Sequence, residues 1–347
     1  MKRIKRYFLS IGLFILLFFT TFYFIFSKYS FQDFLKTLTT CDLTYITLAF
    51  LCIIFYLALG TIFMKQLFAS FGVKISNFQS LCYNCIEIYF SAVTPSSTGG
   101  QPVEAYYMAR DEIPYRKSTV VILINTILYK SVIVLLGVTG MLIFPKLIFQ
   151  NGWLFTTLML GGLILNIIVI LLFSFLIYSD TLPKKIMKLG IRLLSFFHLL
   201  KPEEQQKKTE ELDEVLKDYH ACAEFTKNNP KIMLKSFIMI FFQRLSQFMI
   251  SYFIYRAFRL SGYSFLAIIF LQVAITQATD CVPFPGGVMV GETLTYQINS
   301  LIYGVNLAFS SMLLLRGISF YFLVFLSSIF FVIYHFIGGK KKHDRNL

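Results

Sequence analysis

TPSSTGGQPVE (94–104) and VPFPGGVMVGE (282–292) interrupt two hydrophobic segments with proline and a double glycine, one in each half of the chain. Each break leads to a glutamate, Glu104 four residues after Gly100 and Glu292 five residues after Gly287. Each is then followed by one cation deep inside the next apolar run, Lys130 or Arg316, 30 and 29 residues past the second glycine. Broken helices at corresponding positions of two halves are the sequence mark of a midplane binding site in a transporter.

The surroundings of the breaks are those of a membrane. Of 347 residues, 56% are hydrophobic and 14% charged, with a mean hydropathy of +0.68; soluble domains carry roughly 25% charged residues. Apolar runs of spanning length occupy 7–26, 43–64, 119–144, 153–178, 232–255 and 306–337, and two further runs, 78–94 and 264–281, stop at the breaks. The start, MKRIKR before an apolar stretch, lacks a small-x-small cleavage site and reads as a retained first helix.

A net charge of +14 raises the question of a nucleic-acid partner, and the placement of the cations answers it. With the N-terminus cytoplasmic, inside segments hold 24 of the 32 Lys and Arg, and outside segments hold Lys28, Lys36, Lys146, Arg256 and Arg259. Lys130, Arg244 and Arg316 lie within the apolar runs. This is the positive-inside asymmetry, so the charge calls for anionic headgroups at the inner surface and no nucleic acid. The six cysteines imply no disulfide framework, and the CxxC of Cys82 and Cys85 lacks the second pair or histidine of a metal set.

Charge placement also sets the topology. If 78–94 crossed completely, RDEIPYRK (110–117) and the basic region after Tyr178 would both face outward. A hairpin over 78–110, entering from the cytoplasm and turning at TPSSTGG, removes the conflict. The same bookkeeping makes the second hairpin enter from the opposite face, and GGKKKHDR then lies inside. The expected fold is an all-α polytopic membrane protein with about six full transmembrane helices, two inverted re-entrant hairpins, and cytoplasmic N- and C-termini. It forms one domain over 1–347, with inverted repeats at 78–144 and 264–337 and a cytoplasmic insertion at 179–231. Within that insertion Leu212, Val215, Leu216 and Tyr219 share a helical face.

Prolines and glycines at membrane depth (Pro95, Gly99, Gly100, Pro283, Pro285, Gly286, Gly287) free backbone groups that must face protein or a water-filled cavity. A helix starting after each double glycine presents amides and a dipole suited to phosphate or carboxylate. Glu104 and Glu292 are expected in the first turns, either capping them or pairing with a cation of their own or the opposite repeat. Lys130 and Arg316 cost about 3 kcal/mol or more in a spanning helix, which marks a pathway or a buried partner such as Glu87, Glu104 or Glu292. Polar stripes surround them: Asn84, Glu87 and Ser91; Gln272, Thr276 and Asp280; and Gln243, Arg244, Gln247 and Ser251. No catalytic group, metal set or cofactor motif emerges, since His198, His220, His335 and His343 lack ligand spacing and neither a P-loop nor GxSxG occurs.

PSSTGGQPVEAYYMAR with Lys130, and PFPGGVMVGE with Arg316, resemble the motifs of the lysylphosphatidylglycerol synthase transmembrane-region family, over nearly the whole chain. The resemblance implies a flippase-like protein of the bacterial inner membrane. In the family's best-known members, aminoacylated phosphatidylglycerol is moved to the outer leaflet, protecting against cationic antimicrobial peptides. The expected partner is thus an anionic or aminoacyl phospholipid, bound by Lys130, Arg316 and Arg244, with Glu87, Glu104 and Glu292 balancing charge or holding an amine. The chain ends at Leu347 without the acyltransferase-like domain of the full-length factor, so lysyltransferase activity is not carried over. Lys130 stands where the resemblance leads one to expect arginine, with loss of bidentate phosphate contact. Two other readings remain: phosphatidylglycerol lysyltransferase activity, by family descent or with a separate soluble synthase, and a structural or regulatory partner acting through 203–225. A homo-oligomer is also left open.

Overall fold

The computed structural model describes residues 38–94, 97–178 and 224–343, and every regular element in them is helical. In chain order these are α1 (Leu43–Ser70), α2 (Asn77–Val93), α3 (Gly100–Arg110), α4 (Tyr115–Ile143), α5 (Pro145–Phe149) and α6 (Trp153–Tyr178). They continue with α7 (Pro230–Ala257), α8 (Phe265–Asp280), a 3₁₀ turn at Pro285–Gly287, α9 (Val290–Ile302), α10 (Val305–Arg316), a π-helical stretch at Gly317–Phe322 and α11 (Leu323–His343). Five stretches are long and apolar enough to cross a membrane: Leu43–Ser70, Tyr115–Ile143, Trp153–Ile177, Pro230–Ala257 and Val305–Phe336. They coincide with five of the six expected spans; the first, 7–26, and most of the 179–231 insertion lie outside the described residues. Ile164, Ile168, Leu171 and Phe175 make an exposed apolar stripe on α6, a surface that needs lipid rather than water.

Local chemistry explains where the helices begin. Asp42 accepts from the Thr44 amide at 2.9 Å to start α1. Ser76 and Gln79 form a reciprocal capping box at α2, and Ser264 caps α8 through the Ala267 amide. Pro230 occupies the first turn of α7, where its missing N–H costs nothing. α3, α4, α9 and α10 begin without a side-chain cap.

Contacts at the two ends of the bundle give the topology. At one end the Asp42 amide donates to the Ala257 carbonyl at 2.9 Å, and Gln297 donates to the Asn151 carbonyl at 2.7 Å. At the other end Lys117 donates to the Phe71 carbonyl at 2.8 Å. There the Asp111 carboxylate accepts from Tyr83 at 2.7 Å and also from Tyr334. α2 and α3 therefore form an antiparallel hairpin whose base lies at the Phe71 end, and α8 and α9 form a second hairpin based at the opposite end, beside Asn151. The turns of the two hairpins touch: a side chain at Gly286 would meet the Ala92 carbonyl at 3.1 Å and the Phe320 ring.

The two double glycines serve different physical needs. Gly286 and Gly287 have φ of 56° and 62°, the left-handed region that side chains disfavour. Gly99, at φ −83°, is conformationally ordinary, and Gly100 lies inside a helix. What Gly100 supplies is space, because a Cβ there would lie 2.5 Å from the Glu87 carbonyl and against Ser91. Identical letters thus make one turn by conformation and the other by close approach of two helices.

Candidate functional site

Between the ends of the bundle, where the hairpin turns meet α4, α7 and α10, the charged side chains gather. Lys130 on α4 reaches across to Asp280, the last residue of α8, with Nζ 2.8 Å from Oδ2. Both side chains are about four-fifths buried, at 18% and 21% exposure. Asp280 lies 150 residues further along the chain, so this pair joins its two halves.

Arg316 pairs closer along the chain, with a residue 24 positions before it. Its Nε donates to Glu292 Oε1 at 2.9 Å, and Tyr321 donates to the same oxygen at 3.3 Å. Nη2 also lies 2.9 Å from that oxygen but is misaligned for a hydrogen bond, so its donor capacity remains open. The guanidinium rests on the Phe320 ring, 4.4 Å from its centroid, and Gly291 leaves room beneath it. Arg316 is followed directly by the π-helical stretch 317–322, which interrupts what the sequence presented as one continuous run over 306–337. Such bulges occur often at functional sites, because they re-aim side chains without ending the helix.

Arg244 on α7 is held differently. It stacks over Tyr129 at 3.8 Å and faces Tyr56 at 5.3 Å. Nη1 donates to Gln247 at 3.2 Å, while its buried Nε has no hydrogen-bond partner among the described residues. Glu87 on α2 accepts from Ser91 at 3.0 Å and lies within electrostatic reach of Arg244 and Lys130. A guanidinium clamped by two aromatic faces, with a free donor, is preorganised for a planar or phosphate anion.

Several expectations change here. Glu104 does not pair with a cation: it is buried at 1% exposure, and its Oε1 has no hydrogen-bond partner among the described residues. It also falls in the second turn of α3 rather than the first, because the helix begins at Gly100 itself. Glu292 does lie in the first turn of α9, but that helix starts at Val290, two residues later than the double glycine implied. The glutamates that follow the two breaks are therefore treated unequally. Pro283 is exposed at the second turn, whereas Pro95 and the Pro285 side chain lie outside the described residues. Gly99 is fixed by its amide, which donates to Thr94 Oγ1 at 2.9 Å and thereby closes the first turn.

A family model described as the lysylphosphatidylglycerol synthase TM region matches residues 7–327. The chain belongs to that family. No curated protein and no solved structure matches it. Membership and the apolar helices together make this lysylphosphatidylglycerol synthase TM-region protein a multi-pass membrane protein with a lipid-related role.

Sequence reasoning placed Asp280 only in a polar stripe and did not see it as the partner of Lys130. It missed Tyr56, Tyr129, Phe320 and Tyr321 altogether. Tyr321 carried a usable signal, a hydroxyl five residues beyond a buried arginine. Tyr56 carried none, since nothing in its run distinguishes it from its apolar neighbours. Cys82 and Cys85 are buried and free, which accords with their packing role.

Proposed function

We propose that this chain moves a phospholipid with an anionic or aminoacylated headgroup between membrane leaflets, and that the headgroup binds where the hairpin turns meet. The observation that carries this reading is that Lys130 and Arg316 are bonded to the two carboxylates flanking the second hairpin turn, Asp280 before it and Glu292 after it, with Arg244 stacked on Tyr129 beside Lys130 and open donors at Arg244 Nε and Arg316 Nη2. Both hairpins are re-entrant, entering from opposite faces of a bacterial inner membrane with the termini in the cytoplasm; the opposed bases of the hairpins support that topology. Uncapped starts at α3 and α9 add backbone amides near the same place.

The cations have distinct duties. Arg244 makes the first phosphate contact, because among the described residues no carboxylate is bonded to it. Lys130 and Arg316 are held by Asp280 and Glu292, so the headgroup engages them by exchange, displacing a carboxylate from each. Exchange lets a tightly held charge be released again, which transport requires and storage does not. Resistance to cationic peptides follows if the delivered lipid lowers the negative charge of the outer surface.

The test uses purified protein in proteoliposomes containing acyl-labelled phosphatidylglycerol, with leaflet distribution read by quenching from outside. Alanine at Lys130, Arg244 or Arg316 abolishes translocation while the protein remains monodisperse and helical. Unchanged transport in the Lys130 and Arg316 variants refutes the site. Lipid analysis of cells separates the synthase reading: a rise in total aminoacyl lipid with unaltered leaflet distribution refutes translocation.

A further inference from the structure

Among the described residues the interior of the bundle holds three cations, Lys130, Arg244 and Arg316, and four carboxylates, Glu87, Glu104, Asp280 and Glu292. Lys130 is bonded to Asp280 and Arg316 to Glu292. Glu87 is within electrostatic reach of Arg244. Glu104 is left over.

From this geometry we propose that Glu104 is a proton-binding site, and that its protonation and release couple a proton to the movement of the headgroup. The idea rests on the transport reading above. An unpaired ionised carboxylate that is 99% enclosed is too costly to persist, and a proton removes that charge. The proton would reside on a Glu104 carboxyl oxygen; on release the O–H bond breaks, its electron pair stays on the carboxylate, and a water molecule takes the proton as hydronium.

Among the described residues the groups around α3 do not offer an alternative counter-charge. From α2, Glu87 is a like charge near Glu104, and Tyr83 is committed to Asp111. From α4, Lys130 is taken by Asp280 and Tyr129 by the Arg244 stack. From α11, Tyr334 bonds Asp111 and His335 bonds the Tyr107 hydroxyl. On α3 itself, Arg110 turns toward Asp111 and the Tyr107 and Tyr334 rings. A sodium ion would need several oxygen ligands, and Glu104 Oε1 has no hydrogen-bonding group within reach.

Coupling follows from position. Glu104 sits one turn beyond Gly100, where α3 touches α2, and Glu87 lies across that contact beside Arg244. A phosphate arriving at Arg244 withdraws that cation from Glu87. Binding a headgroup therefore changes the charge balance felt by Glu104 through Glu87, and headgroup and proton occupancy become linked.

Infrared spectroscopy of the reconstituted full chain at neutral pH tests the site without reference to transport. The carbonyl stretch of a protonated carboxyl is expected in the wild type and in Glu87→Gln, is lost in Glu104→Gln, and is retained but shifted in Glu104→Asp. Absence of the band in the wild type, its persistence in Glu104→Gln, or its loss in Glu87→Gln overturns the assignment.

The second arm uses vesicles with labelled phosphatidylglycerol and an imposed gradient of about one pH unit. With one proton per lipid the steady-state leaflet ratio shifts by up to about tenfold. The shift vanishes in Glu104→Gln and returns in Glu104→Asp. A ratio that follows a sodium gradient instead, or that keeps its pH response in Glu104→Gln, overturns the coupling. If the wild type moves no lipid at all, the transport reading fails, and the infrared result alone decides whether Glu104 holds a proton.

Discussion

Breaking the Lys130–Asp280 pair one side at a time, and then as a whole, separates its structural role from its functional one. At 2.8 Å and an effective dielectric of about 20, the gross attraction is roughly 6 kcal/mol. Bringing both ions out of water costs several kcal/mol each, so the intact pair contributes little net stability. Removing only the carboxylate leaves Lys130 enclosed and unpaired, a loss of about 3–5 kcal/mol for such pairs. With each side chain about one-fifth exposed, the lower end applies.

Asp280→Asn is therefore expected to lower unfolding free energy by about 3 kcal/mol, while the double variant Lys130→Met with Asp280→Leu falls within about 1 kcal/mol of the wild type. Reversible unfolding in mixed detergent micelles, followed by circular dichroism, measures both. Translocation is lost in the double variant despite its near-native stability, because the cation is gone. A single variant as stable as the wild type, or a double variant less stable than the single, refutes the reasoning.

Other substitutions probe the turns and the hairpin base. Gly287→Ala combines left-handed strain of roughly 1–2 kcal/mol with a collision against Thr279, whereas Gly72→Ala, at φ 71° in open space, carries the strain alone. The first should be the more destabilising in the same unfolding assay. Tyr321→Phe removes one hydrogen bond to Glu292 and should cost about 1 kcal/mol, with a larger loss if Tyr321 also helps orient Arg316 during transport. Asp111→Ala releases Tyr83, Tyr334 and Arg110 together and should raise amide hydrogen exchange across 100–111 well above that in α4. Arg244→Lys keeps the charge but loses the broad stacking face over Tyr129, and transport should fall roughly tenfold or more, in line with a cation–π contribution of about 2 kcal/mol when desolvated.

How much could be read in advance depended on the kind of force involved. Hydrophobic length and the sidedness of Lys and Arg are properties of segments, so the spans at 43–64, 119–144, 153–178 and 232–255 were legible, with ends within six residues of the observed helices. Proline and glycine interrupt a helix through their own backbone chemistry, so the two breaks were visible as well. Side-chain partnership is another matter. Asp280 and Lys130 are 150 residues apart, and no local pattern says that they meet. The π-helical stretch after Arg316 was likewise hidden, because Gly317 to Phe322 reads as ordinary apolar helix.

The chain alone determined that it is a membrane protein, where its helices break, and which charged residues lie in hydrophobic surroundings. These follow from transfer free energies and backbone restrictions that act within a segment. Only the tertiary structure decided that the two turns touch, that one double glycine bends the backbone while the other admits a neighbouring helix, and that Lys130 and Arg316 are paired while Glu104 is not. Pairing depends on distances between helices far apart in sequence, and a difference of a few ångströms determines whether a buried carboxylate meets a cation or has to take a proton.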